Sequence, residues 1–589
     1  MTMNRILASL LVGGLAVAAW APGAALGLDN SKTPAGSNHD RAHAAAHGST
    51  GDDVRVGVIE SPTEGISSAS EVGIINDFST LGARLIEEWD FRGKAPGDGP
   101  DVIVQTGTDG AWHGTYVTEI MASANGNFTG VATEADIYYA NIGGGNNTVW
   151  YNSFRCASDW LYRNHNVSIF NFSAYLLDAD NDNGDNVGAR YVDWSARTRD
   201  LLFVVAAGNL GHIDGQMTNP GDAFNCITVG AVDDTFRARA EYSGYLLSTD
   251  DDANMDWRGK PDIVAPGTDI ETLLLNPDSG TSFAAPHVTG VSALLAAGTE
   301  IRPAGLPLGT AGNANHLAQK AIVLNSARKR HINAPENAFP FAQDHATKSA
   351  QGSDGNYLLA DGTLNTGSTA MAGKTGEWTP TMWYSNGRSL HVLRPLDDEL
   401  GTGMLDAERA LIQYDGGEQE EKGQNPGGIG PIGWNREILC ADLDPDVYEF
   451  NMAIPQGSFI TVTLTWDRVL NESDDDGTVE TGDTYVDDAA DLGFLPDFNL
   501  YIWYTGGEED ELVAASVGIG DDLGGQNVEH LHYPVPEDGN PFEYSIQVDL
   551  MGTGSRFYDY ALAWWTVPEP ASLVLLALGG LALVRRRRR

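Results

Sequence analysis

The chain has 589 residues, of which 42% are hydrophobic, so it can form several buried cores and is not disordered throughout. Lys and Arg number 35 against 81 Asp and Glu. The resulting net charge of -46 repels phosphate backbones, so we expect no nucleic-acid partner. Cys156, Cys226 and Cys440 are too few for a disulfide framework, and we expect them to be buried free thiols.

The first 27 residues have the pattern of a secretory signal peptide. Arg5 gives a positive start, residues 6–20 are apolar, and small residues follow at 22–27, where cleavage could fall. An uncleaved membrane anchor is the alternative, although the run is shorter than the ~20 residues that a membrane span needs. Residues 28–52 are rich in Ala, His, Gly and Ser without apolar periodicity, which predicts a flexible linker.

Residues 53–414, called the α/β region below, alternate short apolar strands with helical patterns. This alternation predicts a parallel sheet flanked by helices. Ligands of such sheets bind beyond the carboxyl ends of the strands, so polar residues at those ends are candidates for function. Four segments carry such residues: 54–61 with Glu60, 113–120 with His113, 202–209 with Asn209, and 280–288 with Ser282.

Taken singly, each of these segments is more often structural than functional. Together they supply an acid, a base, an oxyanion donor and a hydroxyl nucleophile. With the acid first, then the histidine and then the serine, they resemble the subtilisin-like serine proteases, or subtilases. The segment 280–287 reads GTSFAAPH and differs from the family's serine motif only by Phe283, where Met is usual. Segments 225–231, 260–267 and 401–407 add to the resemblance.

The resemblance implies an endopeptidase that hydrolyses proteins or peptides through an acyl-enzyme. Ser282 would be the nucleophile, and His113 would take its proton and return it to the leaving amine. A carboxylate must orient the imidazole, and Glu60 would occupy that acid position. The side-chain amide of Asn209 and the backbone N–H of Ser282 would bind the oxyanion.

Substrate contacts are also implied by the resemblance. Ser173, Ala174 and Tyr175 stand where the family usually has Ser-Leu-Gly, and Gly208 precedes the oxyanion donor. Tyr175 either narrows the pocket or covers a strand edge.

The acid position departs from the family pattern. An aspartate followed by Thr/Ser-Gly is usual there, whereas this chain has Glu60 followed by Ser and Pro. A catalytically impaired subtilase fold that serves as a surface binding module is therefore the alternative to the enzyme. A structural cell-surface protein is a third hypothesis.

No cofactor is expected for the chemistry, and a structural calcium ion is considered only as an alternative. Asp178, Asp180 and Asp182 offer oxygen ligands at alternate positions, as hard cations prefer. The spacing does not match an EF-hand loop, so the pattern favours a solvated acidic turn over a calcium site.

The C-terminal part of the chain has a different periodicity. Residues 415–436 are rich in Gly, Pro and Glu and predict a linker, and residues 437–566 alternate with period two. Ile460, Val462, Leu464 and Trp466, for example, alternate with threonines. Several such strands separated by Gly and Asp turns predict a β-sandwich or jelly roll, to which we assign an accessory role.

Residues 567–589 contain Pro568-Glu569-Pro570, an apolar run and five terminal arginines. This order resembles the PEP-CTERM sorting signal of exported proteins in Gram-negative-type bacteria. The resemblance implies transient membrane association, removal of the tail by an exosortase-like protease, and a final place in the envelope, on the surface or outside the cell. A simple membrane tail is the alternative, because the arginines favour the cytoplasmic side.

Overall fold

A computed structural model gives the fold of most of the chain. The structure describes residues 31, 36–37, 40, 49–60, 84–102, 113–125, 128–143, 147–174, 184–211, 217, 219–234, 236, 239–246, 259–273, 277–298, 315–329, 357–358, 364–365, 382–385, 389–392, 395–397, 399–456, 458–472, 479–480, 483–487, 496–516, 527–536, 543–552 and 555–566.

The α/β region is built on one sheet of eight strands. They are β1 (Arg55–Glu60), β2 (Leu85–Asp90), β3 (Asp101–Val102), β4 (Asp136–Asn141), β5 (Ile169–Phe172), β6 (Leu202–Ala206), β7 (Ile227–Val232) and β8 (Ile263–Pro266). Their order is β3-β2-β4-β1-β5-β6-β7-β8, with β3 antiparallel to β2 and the other neighbours parallel. The central strands are apolar along their length because helices cover both faces. The predicted parallel sheet is confirmed.

Six helices accompany this sheet in the described residues. They are α1 (His113–Ala122), α2 (Asn147–His165), α3 (Val187–Arg199), α4 (Thr281–Ala297), α5 (His316–Ser326) and α6 (Ala407–Asp415). Helix α4 is apolar on all sides and is buried from Thr281 to Leu295, as expected of a helix at the centre of a core.

The remaining strands are antiparallel for the most part. They are β9 (Tyr357–Leu358), β10 (Leu364–Asn365), β11 (Met382–Ser385), β12 (Ser389–Val392), β13 (Ile432–Leu439), β14 (Asp446–Glu449), β15 (Phe459–Trp466), β16 (Leu470–Glu472), β17 (Tyr485–Asp487), β18 (Phe498–Tyr504), β19 (Glu511–Ser516), β20 (Val528–Pro534), β21 (Tyr544–Leu550) and β22 (Tyr558–Trp565). The predicted all-β architecture after the α/β region is confirmed, and residues 432–566 are called the β region below.

Two sheets of the β region share one apolar core. One sheet has the order β11-β12-β19-β18-β21-β14 and the other β13-β22-β15-β20. Strands β11 and β12 come from within residues 53–414 and join the first sheet through a parallel pairing of β12 with β19. The predicted boundary at residue 414 therefore does not separate the two folds, because the chain contributes to the β region before that point.

Strands β15 and β22 are buried on both faces. Ile460 and Val462 point into the core of the β region, as the alternation predicts. The intervening threonines, which the pattern would leave in solvent, are buried against α5, where Thr463 Oγ1 donates to Asn325 Oδ1 at 3.0 Å. On β22, Ala561 and Ala563 face the same way and belong to the core of the α/β region. Their small side chains let α5 approach the sheet closely.

The predicted linker 415–436 is therefore wrong as a description of this segment. Strand β13 begins at Ile432, inside it, and Ile429 and Trp434 are buried. Trp434 belongs to the α/β core, and its ring stacks on that of Tyr414 with the two ring centroids 6.0 Å apart. Gly and Pro here serve tight turns between packed elements rather than a mobile connection.

Charged groups also cross the interface between the two regions. Arg468 donates to the carbonyl oxygen of Gly184 at 2.9 Å and to Asp185 at 2.7 Å. His316 lies between Asp200, at 2.7 Å from Nδ1, and Asp467, at 2.9 Å from Nε2. Burial disfavours the imidazolium, but the two carboxylates outweigh it and raise the pKa of His316 to about 10. His316 is therefore a cation that joins the two regions at neutral pH.

Three of the described residues in the predicted flexible linker 28–52 are anchored by hydrogen bonds to the α/β region, contrary to a flexible segment at these positions. Ser49 Oγ donates to the carbonyl oxygen of Leu294 at 2.8 Å, and the carbonyl oxygen of Ser37 accepts from the N–H of Ala407 at 2.8 Å. Ser31 is buried, with Oγ 3.2 Å from His287 Nε2. A lack of apolar periodicity therefore did not mean a lack of contacts.

The three cysteines are buried and free, as expected. Within the described part of the chain, no helix is both long and apolar enough to cross a bilayer. The predicted signal peptide 1–27 and sorting tail 567–589 lie outside the described residues.

The shared core predicts that the two regions fold as one unit. We expect Ala563→Arg, which places a charge between β22 and α5, to lower the free energy of unfolding by roughly 3–5 kcal/mol. Ile438→Arg on β13 is the matched control, because Ile438 is 48% exposed. Urea denaturation of both variants measures the difference. Equal stability of the two would show that the regions are independent.

Candidate active site

The carboxyl ends of β1, β5 and β6 lie level in the sheet. Ile59 of β1 pairs with Phe172 of β5, and Phe172 pairs with Val205 of β6. Glu60 and Ser173, one residue further along each strand, are therefore at the same edge. The sheet register brings these segments together although they lie far apart in the sequence.

Glu60 and His113 form a direct hydrogen-bonded pair. Glu60 Oε2 lies 2.9 Å from His113 Nδ1 at the first residue of α1. The carboxylate is 2% exposed, and its other oxygen, Oε1, is buried without a hydrogen-bond partner among the described residues. At Gly114, the second residue of α1, a Cβ would lie 2.7 Å from the ring of Tyr139 on β4. The glycine after the histidine thus lets α1 pack closely against the sheet.

The electrostatics of the pair favour a charged imidazole. Partial burial of the ring disfavours the imidazolium, but the charge and hydrogen bond of Glu60, with a smaller contribution from the charge of Asp278, raise the pKa of His113 above its ordinary value. The His113 side chain is 36% exposed, so one edge of the ring remains open to solvent. This exposed edge is where a reacting group can approach.

Ser282 is the second residue of α4 and is 8% exposed. Its Oγ donates to the carbonyl oxygen of Ser173 at 3.0 Å, and Ser173 Oγ donates in return to the carbonyl oxygen of Ser282 at 2.9 Å. No hydrogen bond joins Ser282 to His113 in the described part of the molecule. The structure thus places Ser282 at the same sheet edge, but its hydroxyl donates to the carbonyl oxygen of Ser173, the residue after β5.

Asn209 follows β6 after a turn at Gly208, whose φ of 99° favours glycine. The side-chain oxygen of Asn209 accepts from the backbone N–H of Thr281 at 2.9 Å and from its hydroxyl at 3.0 Å. These two bonds fix the amide so that its oxygen faces α4 and its NH₂ group remains available. Asn209 is exposed, so this NH₂ group can reach a ligand in the cleft.

The implied substrate contacts have different surroundings. Ser173 and Ala174 are buried, and Gly208 donates its N–H to Thr281 Oγ1 at 3.0 Å. Tyr175 lies outside the described residues, as do the calcium candidates Asp178, Asp180 and Asp182. Within the described ranges, no group of three or more His, Cys, Asp or Glu side chains could hold a metal ion.

Sequence analysis did not anticipate three residues of the site. Thr281 orients Asn209, although the sequence showed it only as part of the serine motif. Asn171 donates to Ser173 Oγ at 2.9 Å and supports the contact with Ser282. Asp278 acts on His113 through its charge, and nothing in the local sequence distinguished it from a surface acid.

Comparison with known proteins identifies the α/β region. The profile of the Subtilase family matches residues 91–352, a range that includes His113, Asn209 and Ser282. The chain carries a subtilase-family domain. Glu60 lies before the matched range, so the match does not extend to the acid position. The PEP-CTERM protein-sorting motif matches residues 566–589. A subtilase domain with this tail indicates an exported protein.

Curated relatives match part of the subtilase domain. The chain is 30% identical over 200 residues to subtilisin-like protease SBT6.1 of Arabidopsis thaliana, which covers 32% of this chain and 18% of that protein. It is 30% identical over 200 residues to subtilisin Savinase of Lederbergia lenta, covering 32% of this chain and 64% of that protein. The chain thus spans less than two thirds of the length of either relative.

A solved structure of a protease from Pseudoalteromonas arctica is also similar to this chain. The two are 19% identical with a TM-score of 0.37, over 62% of this chain and 91% of that one.

The Glu60–His113 pair predicts how the histidine titrates. Glu60→Gln removes the carboxylate charge but leaves the ring partly buried, so we expect the pKa of His113 to fall. Histidine-selective NMR titration of the full chain measures this pKa. His287, which is buried away from Glu60 with a pKa lowered to about 4, is the internal control and should not change. An unchanged His113 pKa would contradict the pairing.

Proposed function

We propose that the chain is an exported serine endopeptidase whose subtilase domain hydrolyses peptide bonds through an acyl-enzyme on Ser282. The observation that carries the proposal is the 2.9 Å hydrogen bond between Glu60 and His113. It engages Nδ1, whereas Nε2 of the same imidazole has no hydrogen-bond partner among the described residues and can accept a proton. A carboxylate in this position selects the tautomer with the proton on Nδ1 and stabilises the imidazolium that forms later.

In the first half of the reaction, Ser282 Oγ attacks the scissile carbonyl carbon while His113 Nε2 takes the hydroxyl proton. The Ser173 carbonyl must release this hydroxyl first, since proton transfer needs a hydrogen bond from Oγ to Nε2. The new C–O bond makes the carbonyl oxygen an oxyanion. Asn209 Nδ2 and the backbone N–H of Ser282 would donate to it. The helix dipole of α4 adds a favourable potential at its N-terminus.

In the second half, the C–N bond breaks and His113 gives its proton to the leaving amine. Water then attacks the acyl-enzyme, His113 takes a water proton, and Ser282 regains its hydrogen when the acid product departs. Thr281 supports both halves because it holds the Asn209 amide in one orientation through two hydrogen bonds. This preorganisation lowers the cost of placing the donor during the reaction.

This mechanism depends on whether the Glu60 side chain, which is longer than that of aspartate, can orient His113. Glutamate is one methylene longer than aspartate, and a shift of about 1 Å can cost about 10²-fold in rate. The buried Glu60 side chain nevertheless reaches Nδ1 at an ordinary hydrogen-bond distance. We therefore assign Glu60 the orienting role.

A binding module without catalysis is the second candidate. The observation that favours it is the hydrogen bond of Ser282 Oγ to Ser173 rather than to His113. Subtilase-like clefts bind extended peptides whether or not the serine is activated, so peptide binding alone does not distinguish the two functions. Covalent reactivity of Ser282 does.

Labelling by a fluorophosphonate tests the proposal. We expect the exported protein to be labelled at Ser282, and Ser282→Ala to abolish both labelling and peptide hydrolysis. Ser292→Ala, on the same helix but bonded only to the Val288 carbonyl, is the matched control and should retain both. Glu60→Gln should lower turnover by about 10²-fold or more, whereas Glu60→Asp should retain it. An unlabelled, folded wild type would favour the binding module.

We also propose that the PEP-CTERM tail is removed after export. Its apolar run and terminal arginines would hold the protein at the membrane of a Gram-negative-type bacterium until an exosortase-like protease cuts near Pro568-Glu569-Pro570. The intact mass of protein recovered from the envelope or medium of its native host should lack residues 585–589. Mature protein that still ends at Arg589 would contradict this proposal.

A further inference from the structure

The proposed reaction defines which side of the cleft receives the leaving group. His113 protonates the amine nitrogen, so the residues that follow the scissile bond pass beside the exposed edge of this imidazole. Asn209 and Ser173 belong to the other side, where the acyl part and its oxygen are bound. Side chains that face the first turn of α1 therefore contact the leaving-group part of a peptide.

Asp278 is held rigidly at this side of the cleft. It lies four residues before Ser282, and its backbone pairs with Ile270 through hydrogen bonds of 2.8 and 3.1 Å. Its Oδ1 accepts from the N–H of Ser279 at 2.8 Å, and the residue is exposed. The next turn is fixed by a 2.8 Å bond from the N–H of Gly280 to the carbonyl oxygen of Gly267. The carboxylate is thus preorganised and open to solvent.

The surroundings of Asp278 connect it to α1. Ile270, its pairing partner, packs in one apolar cluster with Phe283, and Tyr116 of α1 lies against the same cluster. The rings of Phe283 and His113 are 5.9 Å apart. Asp278 thus lies close to the first turn of α1, through its backbone pairing with Ile270 and the packing of Ile270 with Phe283 and Tyr116. In agreement with this position, its charge contributes to the raised pKa of both His113 and Tyr116.

We infer that Asp278 is a specificity-determining residue that selects a basic side chain, Lys or Arg, at the first or second position after the scissile bond. The inference rests on the proposed peptidase function and names the substrate class of that site. A Lys or Arg at the first or second leaving-group position would place its cation near the exposed carboxylate. An acidic side chain there would meet Asp278 and the further negative charge of Glu60.

Fluorogenic peptides that differ only at these two positions test the inference. We expect the full chain to cleave a Lys peptide with a kcat/KM roughly threefold to tenfold above that for the matching Glu peptide, because the attraction of Lys and the repulsion of Glu at an exposed carboxylate add in this ratio. Asp278→Asn should reduce the ratio to below about twofold, and Asp278→Lys should invert it. Salt at about 0.5 M should weaken the preference, because it screens exposed charges.

Ratios between peptides isolate specificity from catalysis. Asp278→Asn also changes the charge around His113, but this affects all peptides equally and cancels in the ratio. Asp510→Asn, at an exposed acid on the turn between β18 and β19, is the control for the overall negative charge and should leave the ratio unchanged. Mass spectrometry of the products confirms which bond is cut.

Two failures can be told apart. A third peptide of the series carries Ala at both positions and is neutral there. If wild type does not hydrolyse this Ala peptide, the proposed function is wrong. If it is hydrolysed but Lys and Glu peptides are cleaved equally well, or Asp278→Asn leaves their ratio unchanged, the assignment to Asp278 is wrong and the peptidase stands.

Discussion

The parallel pairing of β1, β5 and β6 is the constraint on which the candidate site depends. Backbone hydrogen bonds fix Ile59, Phe172 and Val205 in register, so the residues that follow each strand emerge at one edge. Helices α1 and α4 then begin at this edge, His113 as the first and Ser282 as the second residue. A shift of one residue in any strand would turn its side chains to the other face and separate the groups.

Helix α5 extends this constraint to the rest of the chain. It packs on the α/β core with one face and on β15 and β22 with another, so neither region can bury its surface alone. Hydrogen bonds and ion pairs between polar groups also cross this interface. Thr463 bonds to Asn325, and His316 holds two carboxylates. The β region is therefore part of the fold that supports the site rather than an appended module.

The two carboxylates that act on His113 differ in burial and in role. Glu60 is buried behind His113, whereas Asp278 is exposed in front of it, and both favour the imidazolium. The buried carboxylate acts through a hydrogen bond and orients the ring. The exposed one acts through charge alone and is open to a ligand. In a chain with a net charge of -46, position rather than number distinguishes these two carboxylates.

Apolar periodicity and the serine motif are local signals, so the sequence by itself determined the family domain, the parallel sheet and the later antiparallel sheets. It also predicted that Glu60 and His113 lie together. Tertiary structure decided which faces are buried. The threonines of β15 look solvent-facing in an alternating pattern, yet α5 covers them. It also decided that Ser49 and Trp434 are anchored, since burial depends on what packs against a residue. Contacts between distant segments leave no periodicity to detect, and this is why only the fold revealed Thr281 as the partner that orients Asn209.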